Sequence, residues 1–80
     1  MRLPRDWSGS DLVKALGTVG YRVTRQTGSH IRLTARAESG EHHVTIPNHN
    51  PIKAGTLSSI LRDVAEHLGL TRDELIRRLS

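Results

Sequence analysis

The apolar positions of this 80-residue chain change their spacing twice, and each change marks a different kind of element. Leu12, Val13, Leu16 and Val19 recur at helical intervals. Ser8 stands before them and Asp11 three residues on. That is the pattern of a capping box, in which the hydroxyl and the acid each satisfy a backbone N–H at the helix start. Gly20 suits the left-handed residue that ends a helix. The spacing predicts a short amphipathic helix over 9–19. The period then falls to two. In 21–27, Tyr21, Val23 and Arg25 are expected on one face and Arg22, Thr24 and Gln26 on the other. Gly28-Ser29 forms a tight connection, with Gly28 in a backbone shape other residues resist. Residues 30–36 alternate without a break. Ile31, Leu33 and Ala35 face a core, and His30, Arg32, Thr34 and Arg36 form one row on the opposite face. Glu38-Ser39-Gly40-Glu41 reads as a turn. A third strand over 42–46 puts Val44 and Ile46 inward and His43 and Thr45 outward, and ends at Pro47, which cannot donate to a ladder.

Residues 48–55 are loop by composition. Thr56 reads as the cap of a second helix whose stripe is Leu57, Ile60, Leu61, Val64 and Leu68, closed by Gly69. Thr71-Arg72-Asp73-Glu74 is a second capping box. It opens a last short helix with Leu75, Ile76 and Leu79. The order is α-β-β-β-α with a short extra helix. The fold class is α+β: a three-stranded antiparallel sheet with helices on one face and the other face open. The open face is expected to display Arg22, Thr24, Gln26, His30, Arg32, Thr34, Arg36, His43 and Thr45. Residues 1–80 are expected to make one domain, with 70–80 as a helical extension.

Composition narrows the function classes. The absence of cysteine excludes disulfides, thiolate zinc sites and a cysteine nucleophile. The first residues, Met1-Arg2-Leu3-Pro4-Arg5-Asp6, carry no signal-peptide run. No stretch approaches the ~20 apolar residues of a spanning helix. The expected location is cytoplasmic, away from membranes. One Trp, one Tyr and no Phe argue against a base-stacking platform, and Trp7 is expected to be a packing residue at the entry of the first helix or part of a contact with a partner protein.

Net charge is +4 with the histidines neutral. Residues 1–40 hold seven basic and three acidic side chains and residues 41–80 five of each, so the excess lies in the first half. Between residues 21 and 37 stand Arg22, Arg25, Arg32 and Arg36 and no acid. A cationic patch of this kind raises local phosphate concentration and on-rate.

An imidazole beside guanidiniums suits RNA chemistry. RNA carries its own nucleophile, the 2′-hydroxyl. Its cleavage needs that oxygen deprotonated, the 5′-oxygen protonated and the phosphorane charge stabilised. Imidazole serves either proton transfer, and arginines serve the charge. His30 is thus the candidate general base or acid. Arg32, with Arg22 or Arg36, is the candidate phosphate holder. Ser29 offers a hydroxyl to a phosphate oxygen or to its own turn. Lys53 and Thr56 flank the start of the second helix, where exposed N–H groups favour an anion. His42 and His43 are adjacent on a strand and should point oppositely, His49 lies in a loop, and His67 sits on the second helix. No carboxylate cluster accompanies them, and neither a metal nor another cofactor is expected.

The combination of Gly20-Tyr21, Gly28-Ser29-His30, Pro47-Asn48-His49 and Gly55-Thr56-Leu57, with Ile60-Leu61 behind, resembles the HicA family of toxins in bacterial toxin–antitoxin pairs. The resemblance covers roughly residues 8–76. It implies a fold like the double-stranded-RNA-binding domain, cleavage of mRNA as an endoribonuclease with His30 as the catalytic histidine, and inhibition by a HicB-like antitoxin. The chain reads His49-Asn50-Pro51 where many relatives have His-Gly, and its 69–80 segment is longer than in short relatives. Two other readings use the same basic face: a non-catalytic RNA-binding module, and a protein-interaction domain that holds an acidic partner.

Overall fold

The structure, a computed structural model, describes residues 6–37 and 40–79. Its elements are α1 (Gly9–Gly17), β1 (Arg22–Thr27), β2 (His30–Ala37), β3 (Gly40–Pro47), α2 (Ala54–Leu68) and α3 (Arg72–Leu79). The strands form one antiparallel sheet in the order β1-β2-β3. This is the α-β-β-β-α arrangement of the double-stranded-RNA-binding-domain-like α+β fold, with α3 added. The Glu38-Ser39 part of the expected second turn lies outside the described residues. Gly40 and Glu41, expected in that turn, are the first residues of β3 instead. Gly40 has φ +121°, so the reversal needs a conformation that side chains resist.

α1 starts as its capping box dictates. Ser8 Oγ accepts from the Asp11 N–H at 3.1 Å, and the Ser8 N–H donates to Asp11 Oδ2 at 3.0 Å. The helix stops two residues short of the expected end. Thr18 is its C-cap, with a hydroxyl that donates to the Ala15 carbonyl at 2.6 Å, and Gly20 at φ +99° turns the chain into β1. α3 opens on the second box, with Thr71 N–H on Glu74 Oε1 at 3.0 Å and Glu74 N–H on Thr71 Oγ1 at 3.1 Å.

α2 departs from expectation. Thr56 is not its cap. The helix begins at Ala54, and Lys53 is the N-cap, with a carbonyl that accepts from the Leu57 N–H at 2.9 Å and no side-chain cap bond. The cause lies upstream. Ile52 is buried, and its N–H donates to the Trp7 carbonyl at 2.9 Å. With the chain pinned there, the helix starts at once and does not wait for a hydroxyl.

One apolar core joins Leu12 and Leu16 of α1, the inward rows of β2 and β3, the stripe of α2, and Leu75, Ile76 and Leu79 of α3. Trp7 packs against it as expected. The helices cover β1 poorly. Every β1 residue is exposed, and Val23 on the helix side remains 50% exposed.

Register decides which β1 side chains join the open face. Arg22 pairs with Thr34 and Val23 with Leu33, but the next pair is Arg25 with Arg32. Thr24 is therefore the extra residue of a β-bulge. Beyond it the alternation reverses. Directly opposite residues share a face, so Arg25 stands on the open side with Arg32. Gln26, opposite Ile31, stands on the helix side. Both had been expected on the other face; alternation read along one strand has no knowledge of a bulge.

Candidate nucleic-acid interface

The open face consists of rows across the sheet. Thr27, His30 and Pro47 form the first. Arg25, Arg32 and Thr45 form the second. Arg22, Thr34 and His43 form the third, with bulged Thr24 beside them, and Arg36 and Glu41 the fourth. His30 is exposed at the first position of β2. It is presented by a turn in which Gly28 has φ +56°, the left-handed conformation expected of it.

Two strands bring Arg25 and Arg32 face to face one row from His30. Like charges directly opposite one another destabilise a sheet. No acid stands in either of the first two rows, so an anion laid over them would relieve that repulsion. Arg22 and Arg36 are elsewhere. Their rows lie four and six β2 positions from His30, about 13 and 20 Å at the strand rise. The structure therefore separates guanidiniums that the sequence placed in one group.

The turn that carries His30 is tied to the rest of the molecule through the backbone. The Asn48 N–H donates to the Ser29 carbonyl at 2.7 Å, and the Gly9 N–H donates to the His49 carbonyl at 2.9 Å. At Gly9 a Cβ would lie 2.6 Å from the Pro47 carbonyl oxygen and 2.9 Å from Asn48 Cα. Gly9 thus permits α1 to rest on the strand end that pairs with His30. Nothing in the sequence singled it out; a glycine one residue after a capping serine looks like an ordinary helix start. Ser29 is exposed. Lys53, the N-cap, and Thr56, in the first turn of α2, are exposed, and α2 follows the 48–52 loop from the same end of the sheet.

Thr34 is 7% exposed although its face is open. Its hydroxyl lies 2.9 Å from Thr24 Oγ1 and 2.8 Å from His43 Nδ1. Polar neighbours on both flanking strands bury it.

The opposite face carries a second titratable cluster. His42 points away from His43, as alternation required. Its Nε2 lies 3.5 Å from Asp63 Oδ1, which favours the Nε2–H tautomer and leaves Nδ1 to accept from the Tyr21 hydroxyl at 2.7 Å. The His42 ring stacks on His67, with centroids 4.5 Å apart and planes 12° from parallel. Burial, with a smaller push from Asp63, raises the Tyr21 hydroxyl to about 12. The tyrosine therefore stays neutral and fastens β3 and α2 to the start of β1. Among the described residues, no group of three or more His, Asp or Glu is placed to share a metal ion.

A family model described as HicA toxin of bacterial toxin-antitoxin matches residues 9–65. The chain belongs to the HicA toxin family. No curated protein and no solved structure matches it significantly. The HicA match starts at the first residue of α1 and ends in the last turn of α2, so it takes in the whole sheet and the Gly28-Ser29-His30 turn. Among the described residues, no helix is long and apolar enough to cross a membrane.

Proposed function

We propose that this HicA-family protein is the toxin of a type II toxin–antitoxin pair and an endoribonuclease that cuts mRNA at His30. The observation that carries the proposal is the exposed imidazole one row from the opposed Arg25–Arg32 pair. A phosphodiester laid over the first two rows meets the guanidiniums with its non-bridging oxygens and the imidazole with its ester oxygens. The ribose 2′-oxygen gives up its proton and attacks phosphorus. The bond to the 5′-oxygen breaks, and that oxygen takes a proton. The products are a 2′,3′-cyclic phosphate and a 5′-hydroxyl. His30 carries one of these protons, and water at the open face exchanges the other. Arg25 and Arg32 stabilise the charge that builds on the phosphorane, and Ser29, Lys53 and Thr56 supply contacts to the flanking strand. The chemistry asks for no metal. The antitoxin is a HicB-like protein that covers this face.

The test is cleavage of a long single-stranded RNA by wild type and by His30→Ala, with far-UV circular dichroism to establish that both fold. General acid–base catalysis contributes about 10²–10⁴-fold, so the variant should fall by that factor or more. Full activity in His30→Ala refutes the assignment. Binding without cleavage by the wild type would instead favour the non-catalytic module.

A further inference from the structure

Gly20, Arg22, Thr24, Thr34, Arg36 and Glu41 line an open cavity of about 370 Å³ on the same face of the sheet, several rows from His30. Two arginines of different strands, Arg22 and Arg36, belong to its lining. Buried Thr34 belongs to the lining too, its hydroxyl linked to Thr24 on one side and to His43 on the other. Guanidiniums are donors matched to a phosphate. Among the described residues of the lining the acid is Glu41, which lies 3.9 Å from Arg36 Nε, with the two side chains 51% and 85% exposed. An exposed pair of this kind is weak and opens readily to a stronger anion.

We infer that this cavity is a second phosphate subsite, which holds the RNA backbone away from the link that His30 cleaves. The inference rests on the reading of the open face as an RNA surface. Separation along β2 is what makes the subsite distinct. Its rows lie about 13 to 20 Å from His30, roughly two or three nucleotides of an extended strand. A phosphate in the cavity is therefore not the scissile one, and it fixes how far the chain runs past the cut. The occupant is RNA rather than an acidic protein segment because the cavity continues the row of His30, Arg32, Thr34 and Arg36 along a single strand. A polymer with one charge per regular repeat follows such a row.

The experiment measures binding of a dinucleotide, whose single phosphodiester link cannot span both places, and of a single-stranded RNA of about eight nucleotides to the full chain carrying His30→Ala, which keeps the RNA intact. Cleavage of the same RNAs by the wild type is followed in parallel. Lengthening the RNA should raise affinity about tenfold or more through the added charge-assisted contacts. In Arg22→Gln/Arg36→Gln that gain should shrink to less than about twofold, and the slope of log affinity against log salt for the longer RNA should fall by about 0.7 for the phosphate released. Glu41→Gln should shift affinity for the longer RNA upward, opposite in sign to Arg36→Gln. Equal losses at both lengths would overturn the subsite and leave the RNA reading standing. So would unchanged binding at both lengths in Arg22→Gln/Arg36→Gln. If the wild type neither cleaves nor His30→Ala binds either RNA, the RNA reading itself fails and the subsite falls with it.

Discussion

Gly9→Ala tests whether α1 truly rests on the strand end that positions His30. The new Cβ would lie 2.6 Å from the Pro47 carbonyl oxygen and 2.9 Å from Asn48 Cα, both backbone atoms. Neither can swing away as a side-chain tip would. To reach an ordinary contact the 47–49 segment must retreat by several tenths of an ångström. That segment is held by the Gly9 N–H on the His49 carbonyl and by the Asn48 N–H on the Ser29 carbonyl. Overpacking of this type costs about 1–3 kcal/mol, and a stretched backbone hydrogen bond adds about 1 kcal/mol. The better helix propensity of alanine returns at most about 1 kcal/mol. The net expectation is a loss of about 1–3 kcal/mol, or roughly 4–8 °C in Tm per kcal/mol for a domain of this size. Gly17→Ala is the control. It lies in the same helix with nothing within 4 Å of its Cβ position, and it should gain a few tenths of a kcal/mol, up to about 1. The assay is urea unfolding followed by circular dichroism, with RNA cleavage measured alongside. Gly9→Ala should also lose activity, because retreat of Pro47 and Asn48 moves the Ser29 carbonyl and the row that holds His30. A Gly9→Ala protein as stable as Gly17→Ala would refute the close approach and its claimed role.

Tyr21→Phe removes the 2.7 Å bond to His42 Nδ1 and should cost about 1 kcal/mol in urea unfolding. The same tyrosine sets an alkaline limit. Its folded pKa of about 12 lies above the ordinary 10.0, so its contribution is fully present below pH 10 and fades as pH rises toward 12. Unfolding midpoints across that window should slope downward in wild type and stay flatter in Tyr21→Phe; identical profiles would dismiss the link. At the acid end, hydrogen bonds from the Ser8 and Thr71 backbones hold Asp11 and Glu74 below the usual carboxylate range. Their contribution is present at neutral pH and lost as pH falls through those lowered values. Asp11→Asn/Glu74→Gln should therefore flatten the acid limb of a urea-midpoint titration, and an unaltered limb counts against the two capping boxes.

The sequence by itself determined what short-range geometry controls. Ser8 and Asp11, like Thr71 and Glu74, lie three residues apart, which is the reach of a capping box, and both boxes form. The two-residue alternation through β2 sorts His30, Arg32 and Arg36 from Ile31, Leu33 and Ala35, because neighbouring strand side chains must diverge. Gly69 ends α2 in the left-handed conformation that its lack of a Cβ allows. The tertiary structure alone decided what depends on residues distant along the chain. The Thr24 bulge exists only in the pairing of β1 with β2, and it is what sets Arg25 against Arg32. Burial of Ile52, with its N–H on the Trp7 carbonyl, starts α2 before Thr56 can cap it. The distance from His30 to Arg22 and Arg36 follows from strand register, and the need for a bare backbone at Gly9 follows from where Pro47 comes to rest. Periodicity is a property of one backbone segment. Register, bulges and close approach are agreements between segments, reached only when the core closes.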